Sequence, residues 1–173
     1  MKKTKRFSHH SILLAVLKKL GRDRGFETGK SNKTLKEFKE KENYEIRPDV
    51  VWEKDGKIKC IFEVDKGAYD KYPKTIFGSM LGGIVLSKYM KCVFYEVTFK
   101  NKTNRNNSEN SKKVETMLKL FKKYVSDSNK IMPLIIVPYR ALNSAKKINS
   151  ARNNYRWELS DKIKFGKKLK PAA

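Results

Sequence analysis

Three acidic residues, Asp49, Glu63 and Asp65, stand where strand periodicity can bring them together. They lie in the stretch Arg47 to Asp65, in which two short apolar runs flank Asp55-Gly56, a strong hairpin signal. Side chains alternate along a strand with a period of two, so the register decides which carboxylates meet. A two-residue Asp55-Gly56 turn sets Lys54 opposite Lys57 and puts Asp49 and Glu63 on opposite faces. A three-residue loop, Lys54-Asp55-Gly56, pairs Glu53 with Lys57 instead. It collects Val50, Trp52, Ile58, Cys60, Phe62 and Val64 on one apolar face, and Asp49, Glu63 and Asp65 on the other. Like charges directly opposite are unfavourable and a uniform apolar face can be buried, so the second register is expected.

Three carboxylates at one end of a hairpin repel unless something neutralises them. A hard divalent cation does so, and oxygen ligands suit Mg²⁺ or Mn²⁺. A solvated, charged sheet edge is the plainer reading of the same residues.

Composition points to the partner. Of 173 residues, 41 are Lys or Arg and 18 are Asp or Glu, a formal charge of +23. Polyanions are drawn to such a chain over long range, nucleic acid first and anionic membrane second. The longest uncharged run, Thr75 to Ser87, is too short to span a bilayer and holds three glycines. The basic N-terminus leads into a short apolar run, Ile12 to Leu17, followed by Lys18-Lys19 without a cleavage-site pattern, so no signal peptide is expected. Cys60 and Cys92 sit in strand-like runs without metal-ligand spacing, as buried reduced thiols of a cytoplasmic protein would. The length suits one domain over 1–173, with a basic segment at 1–7 and a basic C-terminal extension at 140–173.

The elements that must position the acids are legible in outline. Ser8 is a candidate N-cap for a helix with Ile12, Leu13, Val16, Leu17 and Leu20 on one face, ended by Gly21. His9 and His10 at its start could contact phosphate or metal, but exposed, idle histidines are expected. A short strand begins near Gly25-Phe26-Glu27. Residues 29–43, anchored by Leu35 and Phe38, fit either a short surface helix or a nucleic-acid-facing loop. After the hairpin, Pro73 opens a helix running to Met90, with Ile76, Phe77, Met80, Leu81, Ile84 and Val85 apolar. Gly78, Gly82 and Gly83 lower its propensity and make sense if it packs closely on a sheet. Cys92 to Phe99 reads as a strand, residues 100–113 as a long mobile loop and 111–126 as an amphipathic helix. Leu134 to Val137 reads as a buried strand. The tail from Arg140 supplies one helix and a short final strand, Tyr155 to Leu159.

Pro48-Asp49, followed fourteen positions on by Glu63-Val64-Asp65, resembles the signature of the PD-(D/E)xK nuclease superfamily, the restriction-endonuclease-like fold. The helix, strands, helix, strand order agrees with that fold's α-β-β-β-α-β core over residues 8–100, and on to Val137. The resemblance implies an α/β domain with a central mixed sheet flanked by helices. It also implies a metal-dependent DNA endonuclease in which a metal-activated water attacks a phosphodiester. Asp49 and Glu63 match the two metal-binding positions. Asp65 stands where the family usually has lysine, an acid found there in some restriction enzymes. Lys66 follows it but would point to the apolar face of an unbroken strand. Lys74, in the first turn of the next helix, is the better substitute, since relocated lysines are known in the family. Glu27 is a further candidate ligand. The implied cofactor is Mg²⁺ or Mn²⁺, and the implied partner is DNA in duplex, branched or single-stranded form. A homodimer is expected if both strands are cut. A non-catalytic nucleic-acid binder on the same scaffold is the competing expectation.

Overall fold

A computed structural model describes residues 8–29, 33–42, 47–68, 73–100 and 131–163, with six positions between 112 and 120. The expected segments at 1–7 and 101–111, and the tail beyond 163, lie outside the described residues.

Helix α1 (His9–Asp23) starts at a capping box. Ser8 Oγ accepts from the Ser11 N–H, and Ser11 Oγ accepts from the Ser8 N–H, both at 3.1 Å. Ile12, Leu13, Val16, Leu17 and Leu20 are buried, as their spacing predicts. Gly21 does not end the helix; it lies inside it, where a Cβ would come 2.5 Å from Thr28 Cγ2 and 2.6 Å from Trp52 Nε1. The chain turns instead at Gly25, at φ 79°.

Strand β1 (Glu27–Gly29) and helix α2 (Lys33–Glu42) follow, so of the two expectations for 29–43 the described part is the short surface helix, with Leu35 and Phe38 buried. Strands β2 (Val50–Lys54) and β3 (Lys57–Ala68) make the hairpin, and helix α3 (Pro73–Met90) crosses to β4 (Val93–Phe99). Strand β5 (Ile131–Val137) and helix α4 (Ala145–Lys162) complete the described elements. Lys112, Lys113, Glu115, Thr116, Lys119 and Leu120 are helical and exposed, within the helix expected over 111–126. Its apolar residues Val114, Met117, Leu118, Phe121, Tyr124 and Val125 lie outside the described residues.

The protein is α/β, with a five-stranded open mixed sheet in the order β1-β2-β3-β4-β5. The first two pairings are antiparallel and the last two parallel. One core lies between the sheet and α1 with α4, around Val50, Trp52, Cys60, Phe62, Tyr95 and Val97. The other, around Val51, Ile61, Ile76, Met80, Ile84 and Phe94, lies under α2 and α3. The Trp52 indole N–H donates to Leu17 O at 3.0 Å, so a polar edge buried with the ring is satisfied while it ties sheet to helix. On α3, Gly83 lies where a Cβ would overlap the Phe94 ring, but Gly78 and Gly82 have open space. Leu81 and Val85, expected in the core, are each 52% exposed because only one side of α3 meets the sheet.

Two further expectations are corrected. The hairpin turn has two residues, Asp55 and Gly56, both at positive φ, and Lys54 does pair with Lys57. A bulge then skips Lys59, so that Glu53 faces Ile58 while Trp52 faces Cys60. The bulge supplies the extra residue assigned to the loop, and Ile58 turns to the α3 side of the sheet. Tyr155 to Leu159 is not a strand but lies within α4. Ala151, Tyr155 and Leu159 are buried at a spacing of four and meet the α1 core, which an extended chain could not arrange.

Candidate active site

Because β2 runs against β3 and β4 runs with β3, the start of β2 and the ends of β3 and β4 share one end of the sheet. Helix α1 begins there too: the His9 ring stacks on Phe99, centroids 4.5 Å apart. The bulge restores the parity on which the acids depend. Val50 pairs with Phe62, so Asp49 stands one step further on, beside Glu63. Its position is held from the backbone, with the Val64 N–H donating to Asp49 Oδ2 at 3.0 Å.

Across the next pairing Glu63 faces Glu96, a residue of β4 not singled out in the sequence reading. Glu96 is fully buried, and the Ser79 hydroxyl of α3 donates to its Oε2 at 2.9 Å. The only sequence signal for it is an acid within the apolar run Cys92 to Phe99. The site therefore holds four carboxyl groups from three adjacent strand segments: Asp49, Glu63, Asp65 and Glu96.

The cluster holds its protons tightly. Burial, then the charges of Asp49 and Asp65, push the Glu63 carboxyl up to about 8, and a hydrogen bond shared with Asp49 adds to this. Burial raises Glu96 strongly, and the Asp65 charge adds to it. Burial also raises Asp65, although its hydrogen bond with Glu96 acts the other way. Asp65 Oδ2 and Glu96 Oε1 are both buried without a donor. Two acid pairs result, Asp49 with Glu63 and Asp65 with Glu96.

The donor set is all oxygen, with buried lone pairs unsatisfied, which fits a hard divalent cation. Among the described residues no group of three or more His, Cys, Asp or Glu side chains is arranged so that it could hold a metal ion. Mg²⁺ commonly takes one or two protein carboxylates and keeps its waters, so a two-carboxylate site is compatible with that spacing.

The remaining candidates are sorted by the same geometry. The histidines are not idle. His9 Nε2 donates to Arg140 O at 2.8 Å, and burial lowers its proton affinity. His10 Nε2 lies 3.5 Å from Asp49 Oδ2, bringing α1 to the edge of the acid cluster. Glu27 pairs across from Glu53 near the turn end of the hairpin, away from Asp49, and is exposed. Lys66 is exposed, and it lies within β3 where the pairing with β4 is irregular between Val64 and Ala68. The backbone of Lys74 is in the first turn of α3, and its side chain lies outside the described residues. No family model, no curated protein and no solved structure matches this chain.

Proposed function

We propose that the protein is a metal-dependent DNA endonuclease of the PD-(D/E)xK type, built on a restriction-endonuclease-like core. The observation that carries this reading is the convergence of Asp49, Glu63 and Asp65, in the spacing of that motif, at one end of a mixed sheet. The order α1, β1, β2, β3, α3, β4 supports it, with α2 inserted between β1 and β2. Asp49 and Glu63 are the residues that hold Mg²⁺ or Mn²⁺, with Asp65 beside them. When bound, the cation supplies Lewis-acid charge at the scissile phosphate and a more acidic water. Val64 N–H fixes the orientation of Asp49, and Lys74 opens the helix that follows β3, close in sequence to the acids. Its charge would act on the phosphate that the family lysine normally meets.

The net charge of +23 favours a polyanion. Helix α4 adds a surface for it: Lys146, Lys147 and Trp157 are exposed, and no acid occupies its first turn. An exposed tryptophan on a helix with more basic than acidic residues suits an unstacked base as well as a duplex backbone. Among the described residues no helix is long and apolar enough to cross a membrane. The buried free thiols Cys60 and Cys92 suit a cytoplasmic setting, and cleavage of both strands would call for a homodimer.

The test is to incubate purified protein with supercoiled, linear, single-stranded and branched DNA, with and without Mg²⁺ or Mn²⁺. Metal-dependent cleavage of any of these is expected. Binding without cleavage under every metal would leave a nucleic-acid-binding protein with an inactive site.

A further inference from the structure

We infer that Glu96 belongs to the cation site, where with Asp65 it supplies an oxygen pair that takes a divalent ion; the inference rests on the nuclease reading and extends it to a residue outside the motif. Three observations carry it. Glu96 is fully buried in the middle of β4, where a strand otherwise takes apolar residues. Only Oε2 has a donor, the Ser79 hydroxyl, while Oε1 is buried without one. Oε1 is not the sole orphan: Asp65, in hydrogen-bond range of Glu96, has its own buried oxygen without a partner, Oδ2.

An unsatisfied buried oxygen is costly, and two carboxyl groups in contact cannot supply each other with a donor unless one is protonated. A purely structural pair would be served as well by Gln at position 96, whose amide N–H donates to Asp65 and whose carbonyl still accepts from Ser79. An acid at this position offers what an amide does not, a second anionic oxygen beside Asp65 Oδ2 that a cation can meet. Asp65 then has a use of its own. In place of the family's lysine it is half of an oxygen pair whose other half comes from the neighbouring strand.

The test compares wild type with Glu96→Gln, with Glu40→Gln on the exposed side of α2 as control. Mn²⁺ affinity is measured by titration calorimetry and by the electron paramagnetic resonance signal of free Mn²⁺, and melting temperature is followed with and without Mn²⁺. Glu96→Gln should melt at or above the wild-type temperature without metal and bind Mn²⁺ at least about tenfold more weakly. Its melting temperature should no longer rise with Mn²⁺, while Glu40→Gln behaves as wild type. Unchanged Mn²⁺ affinity in Glu96→Gln, or a wild type that takes up no Mn²⁺, overturns the inference. Should Glu96→Gln fail to fold, Ser79→Ala frees the Glu96 side chain while keeping all four acids. About tenfold weaker Mn²⁺ binding is then expected, and wild-type affinity overturns the inference. Cleavage assays separate the two readings. Mn²⁺ uptake through Glu96 without DNA cleavage leaves this inference standing and removes the nuclease. Cleavage by wild type, with Mn²⁺ affinity unchanged in Glu96→Gln, does the reverse.

Discussion

Glu63 and Glu96 stand directly across from each other in the parallel pairing of β3 with β4, on one face of the sheet. Like charges in that relationship destabilise a sheet unless a proton or a cation lies among them. The two neighbours Asp49 and Asp65 raise the cost, so the cluster is a place where the fold gives up stability.

Removal of either motif acid should separate cleavage from binding. Asp49→Ala or Glu63→Ala is expected to abolish Mg²⁺-dependent cleavage, because each removes an oxygen ligand. Affinity for DNA without metal should be unchanged in Glu63→Ala, whose carboxyl is held protonated, and unchanged or higher in Asp49→Ala, where a negative charge near phosphate is gone. Parallel cleavage and filter-binding assays check this. Equal losses in both would point to a structural role for these acids.

The pH dependence follows from the raised carboxyls. Glu63 binds its proton up to about pH 8 in the folded state, against an ordinary value of 4.5. Between those values the folded chain holds more protons than the unfolded one, so metal-free stability should fall as pH rises. Asp65 and Glu96 act in the same direction. Urea unfolding between about pH 5 and about pH 8 should show the decline, and Glu63→Gln should make it shallower. A Glu63→Gln profile as steep as wild type would contradict the assignment.

Two glycines of α3 should respond in opposite directions. Gly83→Ala drives a methyl into the Phe94 ring and should destabilise by about 1–3 kcal/mol despite better helix propensity. Gly78→Ala meets open space and should stabilise by up to about 1 kcal/mol. Thermal melts of the two variants suffice.

Salt should weaken DNA binding steeply. With 41 basic residues, several phosphate contacts are expected, and log affinity should fall linearly with log salt concentration. A flat dependence between low and physiological salt would remove nucleic acid as the partner.

What the sequence alone determined follows from short-range periodicity. Asp49, Glu63 and Asp65 share a face because strand side chains alternate, and that parity holds whether the extra residue sits in the turn or in the bulge at Lys59. The apolar face of α1, the buried anchors of α2 and the strand at Val93 to Phe99 were legible for the same reason. The actual turn was not, because the repulsion between Lys54 and Lys57 is weak at an exposed hairpin end, where solvent screens it. Tyr155 to Leu159 misled as a strand because a short aromatic run lacks a decisive period, and packing against α1 selected the helix. Nothing local marks Ser79 as part of the site, Glu96 shows only as an acid within an apolar run, and His10 only as one of two histidines at a helix start. Glu96 joins Glu63 through a parallel pairing that requires the α3 crossover, and His10 reaches Asp49 only when α1 packs on the far side of the sheet. Such contacts join residues tens of positions apart, and only the tertiary fold, by burying both cores at once, decides them.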